Sequence, residues 1–179
     1  MAALSAQAQS QRPNIVYIMT DDHTAQALSA YGNSNIQTPN LDQIAKEGVL
    51  FRNSFVANSL SGPSRACMLT GKHSHINGFT NNEHGIFDGS QQTMPKLLQA
   101  SGYQTALIGK WHLVSEPTGF DHWEILIGQG EYYNPVFHHQ DGSKSVEQGY
   151  CTNVITDKAI NWMENRDKER PFILFVHHK

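Results

Sequence analysis

Three short apolar runs, residues 13–20, 103–108 and 171–176, constrain the fold of this chain more than anything else in it. Each is rich in β-branched and aromatic residues and nearly continuous in hydrophobicity. That pattern suits a strand buried on both faces, as in a parallel sheet. Helical patterns lie between the runs. Thr38-Pro39 opens one, with Leu41, Ile44 and Ala45 as its buried face and Gly48 as its end. Met94–Ala100 gives a second, closed by Gly102, and residues 154–163 place Val154, Ile155, Ala159, Ile160 and Met163 at helical spacing. Strands alternating with helices imply an α/β fold: a mostly parallel central sheet flanked by helices. Residues 49–57 alternate loosely and read as a further strand. Residues 120–135 read as an aromatic surface excursion, and Asp141-Gly142 as a hairpin turn.

Each apolar run stops at groups able to do chemistry: Asp21-Asp22-His23, Gly109-Lys110-Trp111-His112 and His177-His178-Lys179. Ligands of open α/β sheets bind beyond the carboxyl ends of the strands. Two adjacent carboxylates at the end of a buried strand are costly unless a cation or donors meet them. Asp21 and Asp22 are therefore candidate hard-oxygen ligands for Ca²⁺ or Mg²⁺, the plain alternative being a solvated turn. For Lys110 and His112 the alternatives are a lysine stem laid along apolar surface and a hydrogen-bonded loop histidine. His73 and His75 fit a solvated loop.

The stretch Ser61-Gly62-Pro63-Ser64-Arg65-Ala66-Cys67-Met68-Leu69-Thr70-Gly71 reads as a helix start with a reactive residue at its mouth. Pro63 suits a first helical position, and residues 66–69 carry the helix into a core. Unpaired N–H groups at a helix N-terminus favour an anion, which would set Ser61 beside an anion site with Arg65 one turn on. A capped helix with solvent-facing Ser and Arg is the alternative.

Composition bounds the partners. At 179 residues the chain can bury one sizeable core. A net charge of −3, with no basic run, gives no basis for nucleic-acid binding. No apolar stretch approaches the roughly 20 residues of a membrane helix. Cys67 and Cys151 form no metal-binding pattern; they could pair or remain free thiols. Residues 1–12 resemble the remnant of an export signal, or an expression scar, and are expected to be disordered, which points to a periplasmic or secreted protein.

Ser61-x-Pro63-Ser64-Arg65-x-x-x-Leu69-Thr70-Gly71, Asp21-Asp22 and Gly109-Lys110-Trp111-His112-Leu113 together resemble the type I sulfatases of the alkaline-phosphatase superfamily. The resemblance runs over residues 13–179 and covers the N-terminal part of that fold, so the catalytic domain is expected to be incomplete here. It implies a sulfuric ester hydrolase in which Ser61 is oxidised by a maturation enzyme to formylglycine. Hydrated to a geminal diol, that residue attacks sulfur, displaces the alcohol, and then expels sulfate. Position by position, the resemblance makes Asp21, Asp22 and modified Ser61 ligands of Ca²⁺. Arg65 would hold the formylglycine, Lys110 would contact it and the sulfate oxygens, and His112 would take a proton from the diol. The family's later Asp-Asn metal ligands have no counterpart, since the sequence contains no such dipeptide. His177-His178-Lys179 resembles only the approach to a later His-Lys-x-Pro-His segment, so neither histidine is given a proton-donor role.

Phe120-Asp-His-Trp-Glu124 and Gly128-Gln-Gly-Glu-Tyr-Tyr-Asn-Pro135 resemble bacterial sulfatases that remove the 6-O-sulfate of N-acetylglucosamine in glycosaminoglycan or mucin. The rival readings are a phosphonate or phosphodiester hydrolase of the same superfamily and a non-catalytic binder of sulfated glycan with an unmodified Ser61.

Overall fold

The computed structural model describes residues 12–179. Its strands are β1 (Ile15–Met19), β2 (Gln104–Lys110), β3 (His122–Leu126), β4 (Val136–His139), β5 (Lys144–Val146) and β6 (Phe172–His177). They form one sheet in the order β1-β6-β2-β3-β4-β5. The first four in that order are parallel, and β4 and β5 continue antiparallel through the turn at Asp141-Gly142. The helices are α1 (Pro39–Glu47), α2 (Ser61–Thr70), α3 (Ser74–Asn77), α4 (Met94–Ala100) and α5 (Cys151–Asn165). Helix α5 carries the chain back so that β6, last in sequence, lies between β1 and β2.

Alternation along β6 builds two cores. Ile173 and Phe175 join Leu107, Trp111, Trp123, Ile125 and the α2 residues Ala66 and Leu69 on one face. Phe172, Leu174 and Val176 pack with Ala106, Ile108, Phe137 and the α5 residues Val154, Ile155 and Ala159 on the other. Both faces of the central strands are thus covered, which is why β2 and β6 read as unbroken apolar runs.

The structure departs from several expectations at its edges. Strand β1 is parallel to β6 but terminal in the sheet, and its burial alternates: Val16 is 46% and Ile18 55% exposed. Helix α1 forms where expected, yet Leu41 and Ile44 are exposed and none of its residues is buried. Residues 49–57 form no strand; their carbonyls and amides find no neighbouring ladder, and Phe51 and Phe55 are exposed. Residues 120–135 are not wholly a surface excursion, because β3 lies within them and pairs with β2. Its polar side chains hid it: Glu124 faces Lys158 at 2.7 Å and the rings of His122 and His139 at 3.1 and 3.3 Å. Residues 72–77, expected as loop, hold the single turn α3. Cys67 and Cys151 are free thiols. Of the 1–12 remnant only Arg12 is described, its guanidinium over the Tyr103 ring; the rest lies outside the described residues.

Gly109 is the tightest point of the sheet. It has φ +109°, and a Cβ there would lie 2.0 Å from the carbonyl oxygen of His177. Gly109→Ala is expected to cost about 3 kcal/mol, the sum of overpacking and a left-handed alanine. Gly71→Ala, at φ +66° with nothing within 4 Å, should cost only about 1 kcal/mol. Urea midpoints of the two variants test this; equal losses would show that the β2–β6 approach is not the constraint.

Candidate functional site

The parallel order sets the ends of β1, β6 and β2 side by side, with His177 in register with Met19 on one side and Gly109 on the other. Asp21, His177 and Lys110 therefore emerge along one sheet edge, and α2 points its first turn at them.

One carboxylate oxygen joins these elements. Asp21 Oδ2 accepts from Ser61 Oγ at 2.8 Å and from Arg65 Nη2 at 2.8 Å. Lys110 Nζ lies 3.0 Å from the same oxygen. Burial alone would push the Asp21 carboxyl up, but the hydrogen bonds from Arg65, Ser61 and Lys110 together outweigh it and hold its pKa at about 2. Oδ1 takes no part in these contacts.

Arg65 is fully buried. Its Nη1 donates to the Lys110 carbonyl at 2.8 Å and to His177 Nδ1 at 3.0 Å. His177 Nδ1 also stands 3.1 Å from the Lys110 carbonyl oxygen, a contact that calls for the opposite tautomer, and its Nε2 is a buried atom without a partner among the described residues. Burial first, and the Arg65 charge second, depress the His177 pKa to about 3. This histidine is a neutral, buried neighbour of the arginine.

Lys110 is 3% exposed; burial lowers its pKa, Asp21 opposes that, and Arg65 and Lys179 add to it. His112 follows in a left-handed conformation, φ +56°, which turns the chain back under α2. A Cβ at Gly62 would lie 2.9 Å from the His112 carbonyl oxygen and 2.7 Å from the Phe79 ring, so only glycine admits this approach. Burial, then Lys110 and Arg65, lower the His112 pKa, and its Nδ1 is buried without a partner among the described residues. The imidazole lines a separate cavity with Trp111, Glu116 and His138 rather than the cleft at Asp21 and Ser61.

The helix mouth differs from its expected form. Ser61 rather than Pro63 is the first residue of α2. Pro63 has no N–H, the Gly62 N–H donates to Asn82 Oδ1 at 3.0 Å, and the Ser64 N–H closes on the Leu60 carbonyl at 2.8 Å. Attraction for an anion therefore comes chiefly from Arg65 and Lys110.

Asp21, Asp22, Ser61 and Ser64 line a cleft of about 490 Å³ together with His23 and Ser59. Asp22 stands exposed at its rim with φ +48°. Among the described residues no three His, Cys, Asp or Glu side chains converge as a metal cage. Two carboxylates and a hydroxyl are hard-oxygen donors and fit part of the shell of about six to eight oxygens that Ca²⁺ takes.

Of the expected site residues, Asp21, Asp22 and Ser61 line the cleft, Arg65 and Lys110 lie buried behind it on Asp21, and the His112 carbonyl packs against the first turn of α2. Sequence reasoning missed three residues here. His177 as the arginine's partner has no local signal, since the contact spans 112 positions of sequence. Asn82 sits in a polar loop like many others. Gln129, 2.5 Å from Lys110 Nζ through its Oε1, lay within a motif noted only for its resemblance.

The neutral state of His177 predicts a pH dependence. Its pKa is depressed on folding, so the unfolded chain binds a proton that the native state refuses. Its contribution is complete above its ordinary value near 6.5 and is lost as pH falls toward about 3. Stability measured by urea at pH 7 and pH 5 should fall more steeply in wild type than in His177→Gln, by about one proton's slope. Equal slopes would place the buried proton linkage elsewhere.

A family profile described as Sulfatase matches residues 13–179. The N-acetylglucosamine-6-O-sulfatase of Bacteroides thetaiotaomicron is 62% identical over 174 residues, covering 96% of this chain and 31% of that protein. Human N-acetylgalactosamine-6-sulfatase is 32% identical over 209 residues, covering 96% of this chain and 40% of its own length. A solved structure described in complex with its substrate D-glucosamine-2-N,6-O-disulfate superimposes with a TM-score of 0.91 at 62% identity, over 94% of this chain and 34% of that one. The chain thus spans about a third of the length of these relatives. With the profile matched across almost the whole described chain, the chain belongs to the formylglycine-dependent sulfatase family of the alkaline-phosphatase superfamily.

Proposed function

We propose that the whole protein is a sulfatase that hydrolyses the 6-O-sulfate of N-acetylglucosamine in a sulfated glycan, with Ser61 as the precursor of its nucleophile. The observation that carries this reading is the shared Asp21 oxygen, which holds Ser61 Oγ beside Arg65 and Lys110. The name of the 62% identical relative supports the choice of sugar.

A sulfate ester shields its sulfur with negative oxygens, so a catalyst must supply cations, a strong nucleophile and proton transfer. Arg65 and Lys110 share one carboxylate, which leaves positive charge to meet the ester oxygens. Asp21 orients the side chain at position 61 through its 2.8 Å contact. His112 accepts a proton from that side chain, and its lowered pKa keeps it neutral and ready to do so. Asp21, Asp22 and residue 61 would hold Ca²⁺, whose charge would favour the deprotonated nucleophile. Oxidised by a maturation enzyme to formylglycine, residue 61 supplies a geminal diol. Export to the periplasm or beyond is part of the same reading; among the described residues no helix is long and apolar enough to cross a membrane.

Peptide mass spectrometry on protein from its native host should find Ser61 lighter by two hydrogens and reactive toward aldehyde probes. The same preparation should release sulfate from N-acetylglucosamine-6-sulfate. Ser61→Ala should lower that rate by about 10³-fold or more, and Lys110→Ala by about 10²-fold or more. An intact serine in protein that binds but never cleaves the sugar would instead indicate a glycan-binding protein. Faster cleavage of phosphate esters than sulfate esters would indicate a phosphoester hydrolase.

A further inference from the structure

Lys110 carries its charge almost entirely out of water, and Asp21 cannot serve it alone. That carboxylate oxygen is already engaged by Ser61 and by Arg65, whose own burial makes the same demand. The second acceptor of the Lys110 ammonium is Gln129, with Oε1 at 2.5 Å. Gln129 lies in the turn after β3, and the residue as a whole is exposed to solvent rather than packed in the core. Its oxygen is nevertheless turned inward to the lysine. The turn is fastened on its far side as well: Lys179 donates to the Gly130 carbonyl at 2.7 Å and stands 3.9 Å from the Tyr132 ring centroid. A Cβ at Gly130 would lie 2.6 Å from Leu126, so the turn is held close against the end of β3. The position of Gln129 is therefore built rather than incidental.

The chemistry of the contact matters as much as its place. A carboxamide oxygen satisfies a buried N–H without carrying charge. A carboxylate at the same point would satisfy it and also cancel the lysine's charge. In the Arg65–Lys110–Asp21 group two cations share one anion, and a second carboxylate would remove the excess on which an anionic ester depends. Two of the three Lys110 N–H directions are used, toward Asp21 and Gln129, and one is left to donate.

We propose that Gln129 is a positioning residue for Lys110: its uncharged oxygen fixes the ammonium at the sulfate site while leaving its positive charge to the anionic ester. This rests on the reading of Lys110 as a sulfate-contacting residue given above.

The test compares Gln129→Glu and Gln129→Leu with wild type in the whole protein. It measures kcat and KM for N-acetylglucosamine-6-sulfate, inhibition by inorganic sulfate, and Tm. Gln129→Glu should keep its Tm within a few degrees yet weaken sulfate inhibition at least about tenfold, or about 1.4 kcal/mol, with KM rising in step. Gln129→Leu keeps the charge but not its placement. It should lower kcat about tenfold and change sulfate inhibition less than about threefold. A purely space-filling glutamine would move Tm in one or both variants and leave sulfate inhibition of the folded enzyme unchanged. Both variants within twofold of an active wild type, or equal sulfate inhibition in the two, would overturn the proposal. If Gln129→Glu does not fold, unchanged kcat in Gln129→Leu overturns it alone. A wild type that neither cleaves the ester nor binds sulfate would defeat the hydrolase reading itself, and the role of Gln129 with it.

Discussion

The Asp21 carboxylate bridges the three elements that converge at the strand edge. Through one oxygen it ties the end of β1 to the first turn of α2 and the end of β2. Arg65 then extends the tie to β6 through His177 and adds a second link to β2 through the Lys110 carbonyl. Each group is expensive alone. A buried guanidinium without its carboxylate, or the carboxylate without its cations, would cost about 3–5 kcal/mol. Together they offset one another, with Arg65 Nε left buried and without a partner among the described residues, and the arrangement still carries more positive charge than negative. Structural support and affinity for an anion come from the same contacts.

The sheet makes that meeting possible. Parallel pairing brings the carboxyl ends of β1, β6 and β2 to one edge, and the return through α5 places β6 between the other two. Two bare positions then allow close approach: Gly109, where β2 meets the His177 carbonyl, and Gly62, where α2 meets the His112 carbonyl. Side chains at either point would separate the elements that carry the charged groups. The glycines thus do for the backbone what Asp21 does for the charges.

How much of this was legible in the sequence depended on whether the cause was local. The central strands announced themselves because burial on both faces leaves an unbroken apolar run, as in residues 171–176. Their polar ends pointed to the site because charged groups beside buried strands need partners. Strand β3 was hidden because Glu124 and His122 interrupt the apolar pattern, though Trp123 and Ile125 keep the alternation of a strand. Its contacts with His139 and Lys158 come from distant elements that no local pattern reveals. Helix α1 was read correctly as a helix and wrongly as buried, since periodicity identifies an apolar face but not what covers it. The pairing of Arg65 with His177 lies across 112 positions of sequence and follows only from the order of strands.

The most direct measurement is a crystal structure of the whole protein bound to N-acetylglucosamine-6-sulfate, with turnover blocked by Ser61→Ala. The account predicts sulfate oxygens within hydrogen-bond distance of Lys110 Nζ, with the sulfur facing the first residue of α2. A sulfate held elsewhere, for example against the stacked rings of His73 and His75, would contradict it.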